Sequence, residues 1–532
     1  MKNFIKNHKR ILIDIAVLAS AFIFVFASYF IFKPLYFKSD ALPASTDGVI
    51  NRIYVYVCLT AIVITGVVLK IKGKLTIELT LFLIFLLGVV MQLNYMLITP
   101  FNYRQHDVLG DEGHEAYAWI LYATGKLPNV VDEETGYLAY QFYHPPFNAF
   151  IQSTFMHVCK PFMQLYNAIT GSAYYDITDR DTLFQTSEIL SCFYMNVATY
   201  FAIKIAYKLK VANRFKVFGA LFVALFPALF ILAGQENNDP LCVMNCFIVV
   251  YFTVAWWENR SYFNAAMIGL FTGLAMFAKL SGALIILPAI VAFAIVLIQN
   301  IIKKDGSFKH QLIQGAMIGL VAAPIGLWFH IYANVKYNQP FGYVWPITWN
   351  ALYVGNHNFF ERFINIFDFK DMTSSIWGRT IYDFKDNIPN NYNLPNFLIK
   401  SALFGEYSFI CADAFAVISL FFNYLFVYSS LALMVIYFIF SKKENIEAKI
   451  IGGVIVVSQL LAQLYFNIKY PFGCTMDFRY IVPIILGFMI LNVLAFDKFS
   501  KEKDWKFYFS QVTMYIGYAF IGSISIFYLI AI

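Results

Sequence analysis

This sequence is short of charge. Asp, Glu, Lys and Arg make up 13% of its 532 residues, while 60% are hydrophobic. A soluble domain carries about a quarter charged residues, so the deficit excludes a string of water-soluble domains and puts the chain in lipid. Cysteine is also scarce. The seven (Cys58, Cys159, Cys192, Cys242, Cys246, Cys411, Cys474) are scattered, mostly inside apolar runs, with no CxxC pair or Cys/His cluster at zinc spacing. Neither a disulfide framework nor a structural metal is therefore indicated; small buried hydrophobes are the plain reading. A glycine-rich nucleotide fingerprint is missing too, which argues against a nucleotide-sugar site.

What is there is a succession of apolar runs. About thirteen reach or approach the roughly twenty residues that cross a bilayer: 11–32, 52–70, 76–98, 184–207, 215–233, 241–257, 263–278, 281–299, 311–332, 412–440, 448–467, 481–496 and 508–531. The pair around Lys279 is short and could form one kinked hairpin. The basic stretch Met1–Arg10 leads into a run too long for a signal-peptide core and without a small-residue cleavage site, so it reads as an uncleaved first span.

The net charge of +7 does not point to nucleic acid, because the basic residues gather in short segments between runs, as orientation signals do. Lys70–Lys74, Lys208–Lys216, Arg260, Lys303–Lys309, Lys442–Lys449 and Lys498–Lys506 all fall on one side if the amino terminus is cytoplasmic. That assignment requires 145–165, which carries His157 and Lys160, to lie in the outer interface as an amphipathic helix. The expected organisation is one all-α polytopic membrane unit. It comprises amino-terminal spans in 1–75, a core in 76–332 with an outer loop at 99–182, a second outer loop at 333–410, and carboxy-terminal spans in 411–532.

The first outer loop opens with Gln105-His106-Asp107-Val108-Leu109-Gly110-Asp111-Glu112-Gly113-His114-Glu115, a dense group of acids and histidines for this chain. A carboxylate partly desolvated at a membrane interface gains basicity and can take a proton from a hydroxyl. A solvated acidic loop start is the plain alternative. Helical spacing would bring Asp111 and Glu112 close to Glu115, which calls for a partner or ligand. Further on, Pro145-Pro146 suits a helix start, with His144 at its mouth, able to donate to a phosphate or sugar oxygen. Lys279 and Arg479 stand at outer ends of spans, where an ionisable group is a functional candidate; snorkelling and an Asp477 pairing are the structural alternatives. Asp239 sits in an Asn-Asn-Asp-Pro turn, an ordinary place for those residue types. Trp345, Trp349 and Trp377 in the second loop could stack on sugar, but Trp also gathers at any membrane interface.

The order Asp111-Glu112-x-His114, a later Leu127-Pro128 and then His144-Pro145-Pro146 resembles the first outer loop of GT-C glycosyltransferases, in particular the protein O-mannosyltransferase and aminoarabinose-transferase-like group. Gln105-His106-Asp107 with Gln141 to Pro146 is similar to a bacterial branch. Asn238-Asp239-Pro240, Ala278 to Gly282, Leu403-Phe404-Gly405-Glu406, and Arg479-Tyr480 with Pro483 extend the likeness over about residues 100 to 490. The resemblance implies a GT-C fold and a polyprenyl-phosphate sugar donor used at the outer leaflet. It also implies one inverting displacement, with an acid of the first loop as base. By position Asp111 takes that role, with Asp107 the competitor and Glu112 positioning. His114, His144, Asp239, Lys279, Glu406, Arg479 and Tyr480 would bind substrate. The acceptor would be extracytoplasmic: a protein, a glycolipid or a cell-wall polymer. No cofactor is required, although relatives with pyrophosphate donors use a divalent metal. The chain departs from the family in having two extra spans before the loop, where the family usually has one.

The leading expectation is thus a membrane glycosyltransferase. A transporter or lipid flippase is the alternative from another class, but it would favour charges at mid-membrane and paired half-repeats. A polysaccharide polymerase or ligase is the alternative among enzymes.

Overall fold

The fold was analysed in a computed structural model that describes residues 2–36, 48–99, 105, 108, 110–304, 306–346, 353–368, 392–405, 413–441 and 445–530. Asp107 and Glu406, both expected site residues, lie outside the described residues, as do Trp349 and Trp377.

The described chain is helical, with two isolated β-bridges and no strand. We number the helices α1 (Lys2–Tyr36), α2 (Val49–Ile71), α3 (Ile77–Ile98), α4 (His114–Thr124), α5 (Phe147–Thr170), α6 (Arg180–Gln185) and α7 (Glu188–Lys208). There follow α8 (Asn213–Ala224), α9 (Pro227–Ala233), α10 (Asp239–Glu258), α11 (Tyr262–Ala278), α12 (Leu287–Ile302) and α13 (Phe308–Tyr337). The last are α14 (Leu394–Phe404), α15 (Asp413–Phe440), α16 (Ile446–Lys469), α17 (Ile484–Phe499) and α18 (Trp505–Ile530). Eleven described helices are long and apolar enough to cross a membrane, or twelve with the bent pair Gly473–Ile481 and Ile484–Phe499. Every expected span is helical, 215–233 as two helices broken at Pro227 and 281–299 as a 3-10 turn followed by a helix. The shortfall from thirteen lies at α11, whose 17 residues cover about 25 Å at 1.5 Å per residue.

Local chemistry sets the boundaries. Thr76 caps α3 by accepting from Leu79 N, and Ser261 caps α11 by accepting from Asn264 N. Pro227 divides the span 213–233 into α8 and α9, because it offers no amide to the preceding turn. Proline also begins α10 and α12.

Helix α5 of the first large loop is not among the described helices apolar enough to cross a membrane. It packs against α4 and α6, and turns Phe150, Val158, Phe162, Leu165 and Ile169 outward as an exposed apolar stripe. A helix with one face on protein and an apolar stripe on the other suits the membrane interface.

Two ion pairs hold α1 against α7. Asp14 is paired with Lys204 and also accepts from the Tyr200 hydroxyl at 2.5 Å. Nineteen residues on, about 28 Å along the helix, buried Lys33 lies 2.7 Å from buried Glu188. Lys33 also donates to the carbonyls of Met96 (2.5 Å) and Thr99 (2.9 Å). Its ammonium thereby fixes the end of α3, where the first large loop begins. Charges inside a membrane protein persist when paired and hydrogen-bonded in this way.

The centre of the bundle is α17, almost wholly buried. A segment precedes it at a 52° bend. That segment is pinned to α16: Gln463 and Asn467 donate to the Thr475 carbonyl at 2.9 and 3.1 Å, and the Thr475 hydroxyl donates to Tyr470 O at 2.7 Å. Asp477 then caps a short turn by accepting from Arg479 N at 2.8 Å. This turn delivers Arg479 and Tyr480 to the site.

Candidate functional site

Five segments far apart in sequence converge at one end of the bundle. Asp239 opens α10, Lys279 ends α11, Arg479 and Tyr480 occupy the turn before α17, His114 opens α4, and His144 precedes α5. Lys279 Nζ lies 2.5 Å from Asp239 Oδ1, and Arg479 Nε lies 3.9 Å from Asp239 Oδ2. The Tyr480 ring sits beneath both cations, 4.7 Å from Lys279 Nζ and 5.1 Å from Arg479 Cζ, while Arg479 donates to the Tyr480 hydroxyl at 3.1 Å. A ring face beneath two desolvated cations stabilises them without neutralising them.

Two glycines make this approach possible. A Cβ at Gly282 would stand 2.8 Å from the Ala275 carbonyl and 2.9 Å from Cys242 Sγ, so only glycine lets the turn after Lys279 fold onto α10 and α11. A Cβ at Gly234 would meet the Tyr95 ring at 2.8 Å, at the entry to the Gln235–Asn238 turn that leads into Asp239.

The histidines form an adjoining wall. His114 and His144 lie parallel, with ring centroids 5.9 Å apart, and His144 packs on Tyr143 at 4.0 Å. Burial pushes the His114 imidazole down to about 3, with Lys279 and Arg479 reinforcing the shift against Asp239. His144 is likewise held well below the usual range by burial, then by His114, Lys279 and His330. Both rings are therefore neutral at physiological pH.

These groups line a cavity of about 1510 Å³. Its polar end holds His114, His144, Asp239, Lys279, Arg479 and Tyr480, with Gln141, Tyr143, His330, Tyr343 and Trp345 beside them. From there it runs between α15 and α16 along an apolar wall that includes Leu431, Val435, Val454, Val457 and Leu461, ending near Lys449. Lys449 to Lys469 on α16 is about 30 Å of helix, which matches the hydrocarbon thickness of a bilayer. Val457, Leu461 and Tyr465 on that helix line the trough and are exposed.

Six of the sequence-derived candidates thus meet on one cavity, and Asp111, Glu112 and Glu115 are not among the residues that line it. Asp111 is exposed and lies 3.0 Å from Arg180 Nη1, whose Nε is 3.1 Å from buried Glu115. The partner that the clustered acids called for is therefore Arg180. The helix begins only at His114, so Asp111 and Glu112 precede it instead of sharing its face. Exposed Glu112 stands beside the Tyr140 hydroxyl and raises its pKa. Gln105 is buried, and its Oε1 accepts from Glu236 N at 2.8 Å, against the turn that carries Asp239. Among the described residues, no group of three or more His, Cys, Asp or Glu side chains could hold a metal ion.

Sequence reasoning missed His330. It lines the cavity from α13, is 7% exposed, and its Nε2 is buried without a partner among the described residues. An ionisable residue inside the apolar run 311–332 was the available signal. It also missed Arg180 and the Lys33–Glu188 pair.

Fold and site define an all-α, polytopic membrane protein with a cationic pocket that opens into an apolar trough. No family model and no curated protein matches the sequence. Among solved structures, the chain is similar to ArnT from Cupriavidus metallidurans in the apo state, at 11% identity over 77% of this chain and 75% of that one, with a TM-score of 0.35. It is similar also to the same protein bound to undecaprenyl phosphate, at 11% identity over 77% and 76%, with a TM-score of 0.33.

Proposed function

We propose that the chain is a glycosyltransferase that moves one sugar from a polyprenyl-phosphate carrier to an extracytoplasmic acceptor. The observation that carries this reading is the continuity of the cavity. Lys279, Arg479 and Tyr480 stand at the head of an apolar trough as long as a bilayer leaf pair is thick. A lipid phosphate with a long hydrocarbon tail matches both ends at once.

In the proposed reaction an acceptor hydroxyl attacks the anomeric carbon, the carbon–oxygen bond to phosphate breaks, and a carboxylate takes the hydroxyl proton. The leaving phosphate gains negative charge beside Lys279 and Arg479, where fixed cations in a partly desolvated pocket act most strongly. Tyr480 supports both cations. Asp239 keeps them apart and oriented, since each of its oxygens faces one of them. The base belongs to the first loop. Asp111 held the stronger claim by motif, but its exposure and its pairing with Arg180 now favour Asp107. The hydrogen bond from Glu236 N to Gln105, two residues before Asp107, supports that choice. Glu112 keeps its assignment to positioning, and Glu406 its assignment to substrate binding.

The reading is tested by incubating membranes that carry the full chain with fluorescent undecaprenyl-phosphate sugars and cell-envelope acceptor fractions. Transfer that requires Lys279 and Arg479 is the expected result. Carrier left intact with every sugar and fraction would contradict it.

A further inference from the structure

The cavity has a neighbour. The end of α13 and a hairpin over 130–139, closed by a bridge between Val131 and Leu138, enclose a second hollow of about 560 Å³. Its walls carry Asn129, Thr135, Tyr137, Lys336, Tyr337 and Asn338. Val131 is the one aliphatic side chain among its described lining residues.

A line of rings joins the two cavities. His144 and Tyr143, on the wall of the first, lie 4.0 Å apart. Tyr143 meets Tyr343, also on that wall, at 5.8 Å, and Tyr343 meets Tyr137, on the wall of the second, at 5.1 Å. Both tyrosine contacts are edge-to-face, and all three tyrosines are part-exposed. Beside this line Tyr140 packs on Trp345 at 5.5 Å, with its backbone held in the left-handed region at φ 53°. A bulky side chain is rarely kept there, and such strain gathers at binding sites. The rings of an aromatic belt are spread along the membrane interface, whereas these face one another and two cavities.

The surface complements a sugar. An aromatic face receives the apolar C–H face of a sugar ring, while asparagine, lysine, threonine and tyrosine side chains meet its hydroxyls as donors and acceptors. A peptide would need a strand edge or apolar pockets for its side chains. The hollow offers a single valine, and N–H groups of the hairpin are engaged: Asp132 donates to Tyr137 O at 2.9 Å, Ala139 to Val130 O at 3.1 Å and Leu138 to Gln339 Oε1 at 3.1 Å.

We propose that this surface binds a glycan acceptor of two or more sugars. The terminal sugar enters the first cavity, the next rests on Tyr343 and Tyr137, and the second hollow takes the hydroxyls beyond. This deepens the glycosyltransferase reading above and rests on it. The terminal hydroxyl oxygen bonds to the anomeric carbon of the donor, the bond from that carbon to the phosphate oxygen breaks, and the first-loop carboxylate takes the proton. The acceptor is an oligosaccharide or polysaccharide, in place of a protein side chain or a lipid without glycan.

The test uses the full chain in membranes, undecaprenyl-phosphate sugars tritiated in the sugar, and protein, lipid and polysaccharide fractions of cell envelopes. Label should enter protease-resistant glycan. The intact polysaccharide should show a KM, per chain end, about tenfold below that of its hydrolysate of single sugars, as the loss of roughly one ring contact would give. Tyr137→Ala should raise the KM for the polysaccharide about tenfold, and Tyr137→Phe, which keeps the ring, should not. Asn338→Gly keeps the left-handed backbone (φ 52°) without the amide and should raise it about threefold. Binding of undecaprenyl phosphate should match the wild type in all three variants. Label released by protease, or carried by a lipid without glycan, overturns the proposal while sparing the glycosyltransferase reading. So do equal KM values for polysaccharide and single sugars, an unchanged KM in both Tyr137→Ala and Asn338→Gly, or an equal loss of undecaprenyl phosphate binding in those variants. No transfer from any donor to any fraction overturns the reading itself, and the proposal with it.

Discussion

Lys279 Nζ reaches Asp239 Oδ1 at 2.5 Å across the gap between α11 and α10, and the pair is mostly buried. Removing one partner strands the other charge, which typically costs about 3–5 kcal/mol in a buried pair, and somewhat less beside an open cavity. Asp239→Asn and Lys279→Met should each lower thermal stability clearly. The double variant should lose less than their sum, because the Lys279–Asp239 contact is then lost once and not twice; the Arg479–Asp239 contact is lost with Asp239 in either background. Strict additivity in a double-mutant cycle would mean that the contact is not a working pair.

The choice of base separates two neighbouring acids. Asp111→Asn loses only an exposed contact to Arg180 and should keep more than about half of the transfer rate, as surface pairs contribute little. Asp107→Asn should lower the rate by about 10²–10⁴-fold, the usual contribution of a positioned general base, with donor binding retained. The reverse pattern, measured as single-turnover transfer, would return the role to Asp111.

Glu115 supplies a pH signature. Burial pushes its carboxyl up to about 8, with Asp181 adding to the shift and Arg180 opposing it. The folded state then holds a proton that the unfolded chain releases near pH 4.5. This contribution to stability is full below pH 4.5 and is lost as pH rises through 8. Melting temperature should fall between pH 5 and pH 8.5, and Glu115→Gln should flatten that slope. An unchanged slope in the variant would show that another group sets it.

The helices were legible because each span needs a run of about twenty apolar residues, and no other structure satisfies the backbone in lipid. Only α11 fell short, at 17 residues. Lys279, Arg479 with Tyr480, and Asp239 were legible as polar groups near the ends of such runs, and His114 and His144 through the motifs of the first outer loop. What was not legible is pairing across the chain. Asp111 and Glu115 looked like an unsatisfied acidic pair until Arg180, 69 residues beyond Asp111, met both. Lys33 gave no sign that Glu188 would receive it, because that contact depends on how α1 docks on α7.

Orientation rests on the basic loops and has its own test. Single cysteines placed at position 130 and at position 210, with the native cysteines replaced, should label from outside and from inside respectively. Labelling of position 130 from the cytoplasm would put the whole cavity at the wrong face for an extracytoplasmic acceptor.

The most direct test of the central claim is equilibrium binding of undecaprenyl phosphate to the full chain in nanodiscs, comparing wild type, Arg479→Ala and Arg479→Lys. The account predicts saturable binding, weakened about 10- to 100-fold in Arg479→Ala by loss of charged hydrogen bonds. Partial recovery should follow in Arg479→Lys, which keeps charge without the planar fork. Binding that is absent in the wild type, or equal in all three proteins, would contradict it.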